Sequence, residues 1–131
     1  MLDANRFKTL KAMLDALPCR VVVPSEWKDF FTRRGPLTSL GDEYRRFVRQ
    51  HFPSRALLEL TTSIAAIPRA GAKHVVLMKD LSRQGVAFLH AAQLFPGERV
   101  ELTLPTGRVA YTIVRCLRHN HRCYEIGAEI E

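Results

Sequence analysis

Arg45, Arg46 and Arg49 fall within five residues of one another, and thirty residues later Asp80, Ser82 and Gly85 form a D-x-S-x-x-G run. Each residue type has a defined recognition chemistry. A guanidinium can donate two parallel hydrogen bonds to O6 and N7 of guanine, stack on a base, or neutralise a phosphate, where lysine offers only a point charge. A carboxylate such as Asp80 can accept hydrogen bonds from the N–H and amino groups of a base edge, a contact that a binder of phosphate alone has no use for. The Ser82 hydroxyl can tighten a turn or reach a ligand. Gly85 permits a close backbone approach that a Cβ would block. Taken alone, the arginine run reads as a solvated face paired with Asp42 and Glu43, and Asp80-Leu81-Ser82 as an ordinary turn. Only the two together, in this order, suggest a site.

Those residues need a frame, and the chain changes period to supply one. Near the N-terminus, Phe7, Leu10, Leu14 and Leu17 recur at helical spacing, with Asp3 placed to cap and Pro18 to end the helix. Arg20-Val21-Val22-Val23 reads as a short extended run. Ser25 is placed to cap a brief helix over Glu26–Arg33, which Gly35-Pro36 breaks. From Arg55 onward the period is two. Six strands are expected: Arg55–Thr62, Lys73–Leu81, Val86–His90, Glu98–Leu104, Arg108–Leu117 and Arg122–Ile130. Val100, Leu102 and Leu104 alternate with Glu101 and Thr103, the mark of a strand with one face buried. Short strands at this spacing predict a mainly β fold, a small barrel or sandwich. The stretch Asp42–Gln50 is ambiguous, because Tyr44, Phe47 and Val48 sit at helical spacing.

The paired motifs, in this order and followed by a run of strands, resemble the two-part signature of PilZ domains, bacterial receptors for cyclic di-GMP. Arg45 and Arg49 match the family's arginine pair, and Asp80, Ser82 and Gly85 its second motif. Leu94-Phe95-Pro96-Gly97-Glu98, Val114-Arg115 and Ile126-Gly127-Ala128 are further family-like features. The resemblance implies a six-stranded antiparallel β-barrel over residues 45–131, with residues 1–44 as an N-terminal helical extension and connector. It implies cyclic di-GMP bound by Arg45, Arg46, Arg49, Asp80, Ser82 and Gly85, with the Arg45–Arg49 stretch a loop that folds over the ligand. A downstream protein partner is expected, with no cofactor and no catalysis. The thirty-residue spacing is longer than the family pattern, so an extended loop is expected at Ser63–Ala72. Many members add a helix after the last strand; here the N-terminal helix is expected to cover the barrel instead.

Composition narrows the alternatives. The 131 residues carry 20 Lys and Arg against 13 Asp and Glu. Residues 45–131 supply +6 of the net +7, thirteen basic against seven acidic. A basic surface attracts nucleic acid, acidic membrane or phosphorylated small molecules alike. A single-stranded nucleic-acid barrel is the main alternative, yet it would present interleaved aromatics for base stacking. This segment offers Phe88, Phe95, Tyr111 and Tyr124 without basic–aromatic alternation. A protein-only interaction module would be expected to have lost one of the two motifs. No apolar run approaches the ~20 residues that span a bilayer. The first residues lack the pattern of a secretory signal, and three cysteines do not make a disulfide framework, so a reduced, cytoplasmic protein is expected. Cys116, His119, His121 and Cys123 could in principle hold zinc, but crowd on one tight turn, and no metal is expected. Trp27, Phe30 and Phe31 are expected to pack a short helix on the barrel. Arg69 and Lys73 are expected to be surface charges.

Overall fold

The computed structural model describes residues 3–36, 49–62 and 73–131. Six strands close into an antiparallel barrel: β1 (Gln50–Thr62), β2 (Lys73–Leu81), β3 (Gly85–His90), β4 (Arg99–Leu104), β5 (Gly107–Asn120) and β6 (Cys123–Ile130). Around the barrel the order is β1-β2-β3-β6-β5-β4, with β4 returning to β1. Closure leaves no sheet edge open to pairing. The period-two pattern fills the interior: Leu58, Met78, Phe88, Leu102, Ile113 and Ile126 are all fully buried there. On β4, Val100, Leu102 and Leu104 point inward as expected, and Glu101 and Thr103 outward.

Two strands are longer than the sequence pattern suggests. β1 starts at Gln50 rather than Arg55, in spite of Pro53. The β1–β2 register shifts between His51 and Ser54, so Phe52-Pro53 sits in a bulge, where a residue without an N–H is tolerated. β5 runs to Asn120, three residues past the expected end, with register shifts at Ile113/Arg115 and Arg118/Asn120. The expected loop at Ser63–Ala72, including Arg69, lies outside the described residues, as does the ambiguous stretch from Asp42 to Val48.

The chain before β1 lies on the outside of the barrel. Helix α1 (Ala4–Ala16) is capped by Asp3, whose carboxylate accepts from the Arg6 N–H at 2.8 Å. It buries Leu10 and Leu14 against Leu57 of β1 and Val75 of β2, whereas Phe7 stays 43% exposed. Arg55 pins the helix end by donating to the Leu14 carbonyl at 3.1 Å and pairing with Asp15 at 3.0 Å. The helix thus packs on the barrel wall.

The expected helix over Glu26–Arg33 is not formed; only a 3-10 turn, Phe30–Thr32, is present. The Trp27 N–H donates to the Pro24 carbonyl and the Phe30 N–H to the Trp27 carbonyl, both three-residue turns. So short a helix is marginal in water, and docking of its aromatics decides the conformation. Phe30 is 1% exposed against Leu77, Leu89 and Cys123, with Val21, Val23 and Trp27 packed around it. This second cover buries Leu89 on the outer face of β3, while Val86 and Phe88 fill the barrel interior, and every residue from Gly85 to His90 is buried. Phe31 points away and is 58% exposed. The Val21–Val23 run joins no strand, but the Val22 N–H donates to the Arg122 carbonyl and Asn120 Nδ2 to the Val22 carbonyl.

Candidate functional site

The antiparallel pairing of β1 with β2 solves the problem of distance. Gln50 sits opposite Leu81 and His51 opposite Asp80, so the start of one strand lies beside the end of the other. Arg49, immediately before β1, reaches Asp80 across a 31-residue separation: Nη1 lies 3.3 Å from Oδ1. Asp80 is 1% exposed and holds a second cation, Lys79, whose Nζ is 3.3 Å from its Oδ2. A carboxylate this deep needs such partners, because an unpaired buried charge is costly. The bulge between Met78 and Asp80 in the β2–β3 register turns Asp80 outward after the inward Met78.

Next to it, Ser82 closes the turn into β3. Its hydroxyl accepts from the Gly85 N–H at 3.1 Å and the Gln84 N–H at 3.3 Å, and its own N–H donates to the Gly85 carbonyl at 2.9 Å. Gly85 has no room for a side chain: a Cβ there would lie 2.5 Å from the Ala128 carbonyl oxygen of β6. The turn that carries Asp80 is therefore clamped to the barrel.

Register also defines a row across the outer face. Asp80 pairs with Ala87, Ala87 with Gly127, and Gly127 with Arg115. Two small, buried residues, Ala87 and Gly127, stand on the neighbouring strands between Asp80 and Arg115. The Arg115 side chain lies over Gly127 so closely that a Cβ would meet it at 2.8 Å. Three strand spacings separate the ends of the row, about 14 Å between backbones. On the other side of Asp80, the buried Nδ1 of His51 has no hydrogen-bond partner among the described residues.

Of the sequence candidates, the structure brings Arg49, Asp80, Ser82 and Gly85 together, while Arg45 and Arg46 lie outside the described residues. Lys79 and Glu125 were not singled out by the sequence, yet both belong to the network: Lys79 Nζ is 3.6 Å from Glu125, which in turn bonds His119 Nε2 at 2.8 Å. His119 meets the ring of Trp27 edge-on at 4.7 Å. Nothing in the local pattern marks Lys79 or Glu125, because their pairing depends on strand register. The four residues weighed as zinc ligands diverge. Cys116 packs against the interior core, Cys123 lies under Phe30, His119 bonds Glu125, and His121 lines a cleft. No metal-holding group occurs among the described residues. Phe88 and Tyr111 are buried inside the barrel.

Comparison with known proteins agrees with this geometry. The family model of the PilZ domain matches residues 43–131, while a comparison with curated proteins finds no match. The chain belongs to the PilZ domain family, a family of cyclic di-GMP-binding modules.

Proposed function

We propose that this protein is a cytoplasmic receptor for cyclic di-GMP in bacterial second-messenger signalling, acting by binding and not by catalysis. Arg45, Arg46 and Arg49 grip base edge, base face and phosphate, and Asp80 accepts from the guanine N1–H and amino group. Ser82 and Gly85 hold the turn, and Arg115 adds a cation at the far end of the row. The observation that carries the reading is the 3.3 Å contact of Arg49 with Asp80, which joins the two halves of the motif on one strand junction. In that contact the acceptor is occupied by the protein's own arginine. Ligand entry exchanges it: Asp80 turns to the guanine Watson–Crick edge and Arg49 to the Hoogsteen edge.

The N-terminal segment is the moving part in this reading. It touches the site twice. The His51 N–H donates to the Gly35 carbonyl at 2.9 Å, where Gly35 adopts a φ of 81°. The second link runs from Asp80 through Lys79, Glu125 and His119 to Trp27. Exchanging the partner of Asp80 perturbs both links and biases the cover formed by Val21–Phe30, a population shift driven by differential contacts. The cover is the natural surface for a downstream partner.

Calorimetric titration with cyclic di-GMP, alongside GTP, tests the reading. Micromolar or tighter binding, weakened by about 1–3 kcal/mol in Arg49→Ala as expected for a bidentate arginine–guanine contact, supports it. Unchanged affinity in that variant refutes the assignment of Arg49, and an absence of heat with folded wild-type protein refutes the receptor.

A further inference from the structure

At the opposite end of β2 from Asp80, a cleft of about 500 Å³ opens between the residues after α1, the start of β2, the end of β3 and the β5–β6 turn. Its polar lining consists of Arg20, Lys73 and Arg122 with the imidazoles of His74, His90 and His121. Among the described residues no carboxylate lines it, and the rest of the described wall is aliphatic. Six residues of extended strand separate His74 from Asp80, about 20 Å, so this is a separate place on the molecule.

Three permanent charges of one sign, supplied by three different elements, converge here. Among the described residues Arg20, Lys73 and Arg122 form no ion pair, although Glu59 stands opposite Lys73 in the strand register. Like charges around one partly enclosed space repel, and a multiply charged anion relieves that repulsion. The walls are fixed in place. The Val22 N–H donates to the Arg122 carbonyl at 3.1 Å, and Asn120 Nδ2 to the Val22 carbonyl at 3.0 Å, holding the segment after α1 that carries Arg20 beside the β5–β6 turn that carries Arg122. Two of the three cations are arginines, whose planar fork matches phosphate oxygens. The volume falls in the range of small-molecule sites, roughly 300–1,000 Å³. The described lining holds no Phe, Tyr or Trp to serve as the stacking platform of a single-strand binder.

We infer that this cleft is a second anion site, for a small molecule bearing a di- or triphosphate group, distinct from the cyclic di-GMP site. The test titrates ¹⁵N-labelled full-length protein with inorganic tripolyphosphate and follows amide shifts, with a parallel calorimetric titration of cyclic di-GMP. Saturable shifts at Lys73–Val75, His90–Ala92 and His121–Arg122 are expected. In Arg20→Gln/Lys73→Gln/Arg122→Gln the affinity falls at least tenfold while cyclic di-GMP binding is unchanged. Lys73→Gln alone, an exposed single change, loses affinity in the same direction. Shifts confined to Asp80–Gly85, non-saturable shifts spread over all basic residues, or equal affinity in the triple variant overturn the inference. So does sedimentation with phosphatidylglycerol vesicles when tripolyphosphate does not bind. Failure of cyclic di-GMP to bind bears only on the receptor reading, because the two titrations report different ends of the barrel.

Discussion

The two ends of β2 treat charge in opposite ways. At the Asp80 end, cations and carboxylates alternate: Arg49, Asp80, Lys79, Glu125 and His119 form a chain of contacts between 2.8 and 3.6 Å. At the Lys73 end, three cations and three imidazoles surround a cleft whose described lining holds no carboxylate. The first arrangement is self-paired, and on the proposed reading it exchanges partners to bind. In the second, Arg20, Lys73 and Arg122 form no ion pair among the described residues. A self-paired site gains specificity, since only a ligand that replaces each lost bond competes, whereas an unpaired one gains attraction for any anion of suitable size.

The comparison can be broken most forcefully at Asp80. Asp80→Ala leaves Arg49 and Lys79 facing each other without their shared carboxylate, and is expected to cost about 3 kcal/mol in urea unfolding, the lower edge for breaking a buried pair. Loss of cyclic di-GMP binding is expected at the same time. Gly85→Ala attacks the same end through packing alone. Its Cβ clashes with the Ala128 carbonyl, and a cost of about 1–3 kcal/mol is expected, read as a lowered melting temperature with Asp80 intact.

A gentler variant sharpens the contrast by testing the link to the cover. Glu125→Gln keeps the shape of the side chain but removes the charge between Lys79 and His119, and about 0.5–1 kcal/mol of stability should be lost. Trp27 is the only tryptophan in the chain. Its fluorescence should respond to cyclic di-GMP in the wild type and respond less in Glu125→Gln; an equal response would remove this route of coupling. Cys123 offers a second reporter. Burial, with a smaller contribution from the Glu125 carboxylate, pushes its thiol up to about 11. At pH 8 it is therefore protonated, and iodoacetamide should label exposed Cys19 well before Cys123. Cyclic di-GMP should accelerate labelling of Cys123 if the Val21–Phe30 cover loosens. Because the folded thiol titrates above the unfolded one, its contribution to stability is full below about pH 8.5 and declines as pH rises toward 11. The smallest effect belongs to the other end of β2, where Lys73→Gln should change stability by no more than about 0.5 kcal/mol.

Much of the barrel was legible in the residues. Alternation in β4 and β6, with turn residues between runs, located all six strands because a half-buried strand imposes a period of two on its sequence. Boundaries were less legible. Pro53 disguised the start of β1, since whether a proline fits depends on a bulge set by the partner strand. The Glu26–Arg33 segment carried helical spacing, yet Trp27 and Phe30 were held by Leu77, Leu89 and Cys123 in a tighter turn. Lys79 and Glu125 were invisible for a related reason: they are 46 residues apart, and only the β2–β3–β6 order brings them together.

The sequence by itself determined the family, the barrel and the residue types at the candidate site, because backbone period and motif chemistry are local properties. Which charges meet was decided by tertiary structure. Strand order and register set Arg49 beside Asp80, and the packing of the N-terminal segment on the barrel brings Arg20, Lys73 and Arg122 to one cleft whose described lining holds no carboxylate, since electrostatic partnership depends on distance in space, and residues far apart in the chain acquire that distance only when the barrel closes.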